Sequence, residues 1–205
     1  GGGRTWGVAA NAGGWDGLWL RDVVDGLGLS RVSLLGTSFG GYVAVLGEQV
    51  LGDRVSHLIL CAPAGIVRPW PGARFLWAMV SLRFRPTRSR ADAFFRQLLG
   101  PSQTMPPDIF SEIVEALYRF GKGFDIAGAL PPVFDNSVLR CVEADTMLIV
   151  GEDDVLFSPS SIVKRGERLF PKLRCAVTLP AHGHSLELSP VTMAYVTKFL
   201  SATTS

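Results

Sequence analysis

The sequence predicts an α/β fold in which a parallel sheet with flanking helices is interrupted by an all-helical insertion. Short β-rich segments alternate with amphipathic segments toward both ends of the 205-residue chain, and this alternation is typical of parallel sheets. Between residues 66 and 144 the strand pattern is absent, and apolar residues recur at helical spacing. The sequence therefore predicts a core formed by residues 1–65 and 145–205 and a helical cap formed by residues 66–144.

Each predicted element follows from its local pattern. Residues 15–27 carry apolar side chains at helical spacing and are followed by Gly28, a residue type that commonly ends helices. The predicted strands of the core are residues 31–35, 55–61, 146–150 and 173–179, and its predicted helices are residues 15–27, 42–51, 161–170 and 190–201. The predicted cap helices are residues 75–84, 91–99 and 107–120, separated by prolines at 86, 101, 106 and 107.

Composition and charge exclude several classes of protein. Hydrophobic residues make up 47% of the sequence and charged residues 19%, which is typical of a globular domain rather than a disordered chain. The formal net charge is +2, and no run of like charges predicts a nucleic-acid partner. No apolar segment reaches the roughly 18 residues that a membrane-spanning helix needs. The 3 cysteines lack the spacing of metal ligands, so we expect no metal and no cofactor.

A glycine-rich turn after the first predicted strand is the strongest functional signal. Its sequence, Gly36-Thr37-Ser38-Phe39-Gly40, matches G-x-S-x-G and lies between a strand and a helix, where this motif exposes a nucleophilic serine. We expect strained backbone at Ser38, with Gly36 and Gly40 avoiding Cβ clashes. The Phe39 NH, at the start of the next helix, is predicted to stabilise an oxyanion. A turn that only packs tightly is the alternative, whereas a phosphate loop would need G-K-[ST] or G-x-G-x-x-G.

A serine nucleophile needs a general base, and the chain contains 3 histidines. His57 lies inside an apolar predicted strand, so we expect it to be packed rather than catalytic. His182 and His184 follow the last predicted strand. They therefore lie at the carboxyl edge of the sheet, where parallel sheets bind their ligands.

The acid that orients the base is predicted at the end of another strand. Glu152, Asp153 and Asp154 follow the apolar segment 147–150, and all three are candidates. Helix capping or simple solvation is the alternative role for such an acidic turn. The chain order Ser38, Asp154, His184 agrees with the order of nucleophile, acid and base that accompanies this serine motif.

With these motifs the chain resembles the α/β-hydrolase superfamily, in particular bacterial carboxylesterase-like serine hydrolases with a helical cap. The resemblance covers nearly the whole chain: residues 34–41 resemble the nucleophile elbow, residues 148–154 the acid turn and residues 183–185 the histidine turn. By the G-E-x-D and G-H patterns, it implies that Asp154 is the acid and His184 the base of a catalytic triad. It leaves His182 as a neighbour available for substrate contact.

The front of the fold is where the chain departs from this family. Residues 1–5 resemble the end of the P-G-x-G-x-S loop that follows the fourth strand of family members. The resemblance implies that this chain holds about strands 5 to 8, and that the second oxyanion donor precedes it. We therefore expect weak or no activity, because losing one such donor costs roughly 10²- to 10³-fold in kcat. We also expect the strand before Ser38 to be an exposed sheet edge that favours self-association.

The predicted activity is hydrolysis of a small-molecule carboxylic ester through an acyl-enzyme on Ser38. Cofactor-free haloperoxidase or perhydrolase chemistry and carbon–carbon bond hydrolysis use the same triad in this superfamily, and both remain alternatives. Dehalogenase and epoxide hydrolase chemistry is disfavoured, because those relatives carry Asp at the position of Ser38. An alternative of another class is a truncated, non-catalytic remnant that acts as a binding protein. No signal peptide is visible, so we expect a cytoplasmic location.

Aromatic and apolar residues of the predicted cap are available to shape an acyl pocket beside this site. Ordinary packing within the cap is the alternative role for each of them. They are Trp70, Phe75, Trp77, Met79, Phe94, Phe95, Phe110 and Tyr118.

Overall fold

The computed structural model describes residues 14–121 and 130–202. Within these ranges the chain forms a parallel sheet of 4 strands in the order β1-β2-β3-β4. The strands are β1 (Val32–Thr37), β2 (Val55–Cys61), β3 (Asp145–Gly151) and β4 (Leu173–Leu179). The predicted α/β class with a parallel sheet is therefore confirmed. The segment 1–5, which suggested the missing front of the fold, lies outside the described residues.

Helices connect these strands and also form the insertion between β2 and β3. Outside the predicted cap range lie α1 (Gly14–Gly26), α2 (Phe39–Leu51), α7 (Pro159–Leu169) and α8 (Pro190–Ala202), and the short helix α6 (Asn136–Arg140) lies at the end of that range. The insertion contains α3 (Ala73–Phe84), α4 (Arg88–Leu98) and α5 (Pro107–Phe120). Short 3₁₀ turns lie at Gly52–Arg54 and Leu186–Leu188. In the insertion, each predicted helix is present with its bounds shifted by at most a few residues.

The sheet is covered on both faces because its buried strands are apolar on both sides. In β2, Leu58 and Leu60 pack into a cluster with side chains from α2 and α7. Their neighbours Ile59 and Cys61 point to the opposite face and pack with α8. Full burial of such an aliphatic side chain contributes roughly 1.5–3 kcal/mol. The continuous apolar runs of β2 and β3 thus follow from a central position between two helical layers.

A third apolar cluster holds the insertion together. Phe75 of α3 packs against Phe94 of α4, with ring centroids 5.2 Å apart, and Val114 of α5 completes the cluster. Val155 and Leu156, from the loop after β3, pack against this cluster. The insertion is therefore seated on the loop that carries the candidate acid.

The predicted boundary between core and cap stays a prediction. The cluster of α3, α4 and α5 involves residues up to Tyr118. Phe134, Leu139 and Val142, which the predicted cap range 66–144 includes, are instead buried in the cluster beside α2 and α7. These residues indicate where the C-terminal boundary of a cap domain can be tested.

β1 is a lateral edge of the described sheet. One of its side chains, Leu35, is 43% exposed, because α8 packs over β2, β3 and β4 but leaves this part of β1 uncovered. Self-association through this edge stays a prediction. Among the described helices, none is long and apolar enough to cross a bilayer.

Candidate active site

The turn that carries Ser38 joins the end of β1 to the first residue of α2. Ser38 has φ 53° and ψ −117°, a strained conformation that costs on the order of 1–3 kcal/mol and persists only where its surroundings fix it. Here the Ser38 NH donates to the Cys61 carbonyl (3.0 Å), and the Ser38 carbonyl accepts from the Ala64 NH (2.9 Å). The carboxyl end of β2 therefore holds the nucleophile turn in place.

Glycines around this turn allow close contacts that a Cβ atom would block. This holds for only one of the two predicted positions. A Cβ atom on Gly36 would lie 2.2 Å from the Gly40 carbonyl oxygen, so the expectation for Gly36 is confirmed. The expectation for Gly40 is wrong, because a Cβ there would meet no described heavy atom within 4 Å. Gly41 is the second crowded position, since its Cβ would lie 2.8 Å from the Pro63 Cβ. The turn packs against the segment after β2 through Gly41 instead.

The predicted oxyanion donor, the Phe39 NH, belongs to the first residue of α2. The first NH groups of a helix have no intrahelical acceptor and lie at its positive end. The Phe39 side chain is 41% exposed, so solvent reaches this side of the turn. The role of the Phe39 NH stays a prediction.

One of the three candidate carboxylates after β3 differs sharply from the other two. Glu152 and Asp153 are exposed, whereas the Asp154 side chain is 1% exposed. Asp154 Oδ1 accepts hydrogen bonds from the NH groups of Leu156 (2.7 Å) and Phe157 (3.0 Å). These bonds fix the carboxylate and turn its other oxygen toward the loop after β4.

That second oxygen is paired with His184. Asp154 Oδ2 lies 2.9 Å from His184 Nδ1, and only 7% of the His184 side chain is exposed. Because a carboxylate can only accept, Nδ1 carries the proton of the neutral imidazole, and Nε2 is left with its lone pair. Nε2 is buried and has no hydrogen-bond partner within residues 14–121 and 130–202. The structure therefore brings Asp154 and His184 together but contains no hydrogen bond between Ser38 and His184.

His182 has a structural role, and the expectation that it is available to a substrate is wrong. Its Nδ1 lies 2.9 Å from the Pro180 carbonyl and its Nε2 lies 2.9 Å from Ser189 Oγ. The side chain is buried and both ring nitrogens are engaged. His57 is half-buried in β2, with Nδ1 2.9 Å from Ser33 Oγ and its ring packed edge-on against Phe199, as predicted for a packed strand residue.

The loop carrying His184 is held by close glycine contacts. A Cβ on Gly151, the last residue of β3, would lie 2.1 Å from the Gly183 carbonyl oxygen. A Cβ on Gly183 would in turn lie 2.5 Å from the Leu98 carbonyl oxygen at the end of α4. The histidine loop is thus sandwiched between β3 and the insertion.

The apolar residues of the insertion mostly serve packing rather than a pocket at the reactive atoms. Phe75, Phe94 and Phe95 are buried in the cluster of α3, α4 and α5. An open cavity of about 650 Å³ is bordered by Trp70, Phe75 and Asp154, but neither Ser38 nor His184 is among its lining residues. It adjoins the acid loop and does not reach the side chain of the nucleophile.

Other nucleophilic or ligating groups do not form a second centre in the described ranges. Within them, no group of three His, Cys, Asp or Glu side chains is placed to hold a metal ion. Cys61 is fully buried at the end of β2, and burial raises the pKa of its thiol to about 12. A thiol with that pKa is a poor nucleophile at neutral pH.

Comparison with known proteins identifies relatives of the whole described fold. The model of a family described as "Alpha/beta hydrolase family" matches residues 4–194. An uncharacterized carboxylesterase, nap, from Bacillus subtilis (strain 168) is 24% identical over 192 residues, which cover 91% of this chain and 62% of that protein. Carboxylesterase YbfK from the same organism is 23% identical over 173 residues, which cover 83% of this chain and 57% of that protein.

Solved structures show the same fold. The crystal structure of carboxylesterase CesB (YbfK) from Bacillus subtilis has a TM-score of 0.77 and 21% identity, covering 95% of this chain and 67% of that one. The structure of naproxen esterase from Bacillus subtilis has a TM-score of 0.72 and 22% identity, covering 93% of this chain and 65% of that one. This chain spans 62% and 57% of the length of the two curated relatives.

Proposed function

This chain belongs to the alpha/beta hydrolase family, and on that premise we propose that it is a serine hydrolase that cleaves small-molecule carboxylic esters. Ser38 is the nucleophile, His184 the general base and Asp154 the residue that orients the base. The names of the two curated relatives, both carboxylesterases, support the choice of an ester. The order of the three residues along the chain, Ser38, Asp154, His184, supports the assignment of roles.

The observation that carries the proposal is the buried His184–Asp154 pair with one free imidazole nitrogen. Asp154 accepts the Nδ1 proton at 2.9 Å and so leaves Nε2 unprotonated in the neutral ring. Buried polar groups are almost always paired, yet Nε2 has no partner among the described residues. A basic nitrogen held in this way is suited to take the proton of a serine hydroxyl. Catalytic hydrogen bonds are often long before substrate binds, so a missing Ser38–His184 bond is compatible with this role.

In the proposed reaction, Ser38 Oγ attacks the ester carbonyl carbon while His184 Nε2 takes the hydroxyl proton. The Phe39 NH donates to the oxyanion, and His184 then returns the proton to the leaving alcohol as the acyl-enzyme forms. Water, deprotonated by His184, attacks the acyl-enzyme and releases the carboxylic acid and free Ser38. Asp154 stabilises the imidazolium in both steps.

The test is turnover of a series of p-nitrophenyl esters by the wild-type chain and by Ser38→Ala. If the triad acts as a unit, the variant loses on the order of 10⁶-fold in kcat, or all measurable turnover where the wild type is slow. His57→Gln is the matched control, because His57 is held by Ser33 away from the proposed site. Measurable turnover that is equal in the wild type and Ser38→Ala would contradict the proposal.

A further inference from the structure

We infer that Gln103, a residue of the insertion, is a positioning residue that holds the proposed base His184 in its working orientation. This inference rests on the proposed function, because it concerns the placement of the base. Gln103 lies between α4 and α5, 80 positions from Gly183 in sequence. Its side chain nevertheless contacts the backbone on both sides of His184.

The contacts of Gln103 use its amide almost fully. Oε1 accepts from the Gly183 NH at 3.0 Å and from the Gly100 NH at 2.9 Å. Nε2 donates to the Ser185 carbonyl at 2.7 Å. Only this orientation of the amide matches two NH donors and one carbonyl acceptor, so the assignment of oxygen and nitrogen is fixed by the partners. One side chain therefore brackets His184 through the residues before and after it.

Backbone contacts reinforce the same junction between the insertion and the histidine loop. The Ser185 NH donates to the Leu98 carbonyl at 3.1 Å, and the Ser102 NH donates to the Ala181 carbonyl at 3.0 Å. Gly100 and Gly183 allow the two segments to touch, since a Cβ on Gly100 would lie 2.4 Å from the Gly183 nitrogen. The insertion and the histidine loop are thus joined by backbone hydrogen bonds and close glycine contacts rather than by a loose apolar contact.

The consequence concerns the direction in which His184 points. Asp154 fixes Nδ1 and the buried ring packs against Phe157, whereas the position of the loop backbone sets where Nε2 lies. Misplacing a catalytic group by about 1 Å costs on the order of 10²-fold in rate. Loss of the Gln103 amide is therefore expected to lower kcat while KM changes little, because Gln103 does not contact the reacting atoms.

The decisive variant is Gln103→Met, which keeps the length of the side chain and removes all three hydrogen bonds. We expect kcat to fall about 10²-fold with KM within threefold. Gln103→Glu keeps an acceptor for the Gly183 NH but replaces the bond to the Ser185 carbonyl by a repulsive contact between two oxygens, so a fall in kcat is expected for it as well. Thr104→Ala is the matched control, because it alters an exposed side chain of the same segment.

A second readout reports His184 directly and does not depend on turnover. With isotope-labelled histidine, the Nδ1 proton of His184 that is shared with Asp154 gives its own resonance, and the chain has only 3 histidines to assign. We expect Gln103→Met to shift or broaden this resonance while the ring signals of His57, which lies in β2 outside this junction, stay in place. The His57 signals report folding, so a variant that unfolds is recognised, and Gln103→Glu then takes its place.

The outcomes separate this inference from the proposed function. An unchanged His184 resonance in Gln103→Met, or an equal fall in kcat for Thr104→Ala, would overturn the positioning role. Measurable turnover that is equal in the wild type and Ser38→Ala would instead overturn the proposed function. In that case the resonance of His184 alone decides whether Gln103 positions it.

Discussion

The two sides of the candidate site differ in how completely they are enclosed. On the acid–base side, formed by Asp154, His184 and their loops, the two side chains are 1% and 7% exposed. On the nucleophile side, formed by Ser38 and the turn after β1, the Phe39 side chain is 41% exposed. The acid–base side lies between β3, β4 and the insertion, whereas the nucleophile side adjoins β1, a lateral edge of the described sheet.

The described residues determine the geometry of the acid–base side by themselves, and on the nucleophile side they fix the backbone of Ser38. The Asp154–His184 geometry follows from contacts with Leu156, Phe157 and the glycines that pack the histidine loop. The backbone of Ser38 is likewise fixed, by bonds to the end of β2. Ser38 itself is half-buried and its neighbour Phe39 is exposed, so within the described residues the nucleophile side is the less enclosed of the two. We therefore expect substitutions on the acid–base side to have large and specific effects on ester turnover and on stability.

The largest effect on this side is expected from Asp154→Asn. The amide places an NH₂ group opposite His184 Nδ1 and favours the tautomer with the proton on Nε2, which cannot act as a base. We expect a loss of about 10⁴-fold in Ser38-dependent ester turnover. Asp153→Asn is the matched control, because the Asp153 side chain is exposed. A loss below tenfold for Asp154→Asn, or equal losses for both variants, would contradict the assignment of the acid.

Alanine substitution of one glycine on each side of the candidate site is expected to change the free energy of unfolding differently. Gly151→Ala places a Cβ atom 2.1 Å from the Gly183 carbonyl oxygen, and we expect it to lower the free energy of unfolding by about 1–3 kcal/mol. Gly40→Ala meets no described heavy atom within 4 Å. As a helical residue it is expected to be neutral or to stabilise the fold by up to about 1 kcal/mol. Urea unfolding measures the free energy of unfolding of both variants. A larger loss of stability for Gly40→Ala than for Gly151→Ala would contradict this difference between the two sides.

The smallest effect concerns a buried carboxylate far from the site, Glu48 of α2. Glu48 Oε1 accepts from the NH groups of Glu143 (2.7 Å) and Ala144 (3.2 Å), and burial raises the pKa of Glu48 above its ordinary value of 4.5. A carboxyl group with a raised pKa in the folded state loses stabilising free energy as the pH rises from 4.5 toward that folded value. Glu48→Gln keeps the acceptor oxygen and removes this titration.

We therefore expect the free energy of unfolding of Glu48→Gln to increase relative to that of the wild type as the pH is raised from 4 to 8. Urea unfolding at several pH values measures the difference between the two proteins. A difference that is constant, or that favours the wild type as pH rises, would show that titration of Glu48 does not cause this pH dependence of stability.

Local patterns predicted most of the sheet. The predicted bounds of β2 and β4 coincide with the observed ones, because both strands are apolar or alternating runs with clear ends. β1 extends to Thr37 rather than Leu35, since Gly36 and Thr37 still pair with Leu60 and Cys61 of β2. A glycine two residues before the nucleophile looks like a turn in the sequence, but tertiary pairing keeps it in the strand.

The residues around the proposed base could not be predicted from local patterns. The segment from His182 to His184 has a histidine on either side of a glycine, and only the structure shows that Pro180 and Ser189 occupy both nitrogens of His182. No local pattern indicates a role for Gln103, because its partners in the histidine loop are 80 and 82 positions away. Roles of this kind depend on which loops meet in space, and hydrophobic periodicity does not encode that.

Labelling with a fluorophosphonate probe, followed by mapping of the modified peptide by mass spectrometry, measures whether Ser38 is a nucleophile activated by His184. We expect one adduct, on Ser38, in the wild-type chain. We also expect His184→Ala to label far more slowly, whereas Asp153→Asn labels at the wild-type rate. An adduct on a different serine, or labelling of Ser38 at the same rate without His184, would contradict the assignment of these two residues.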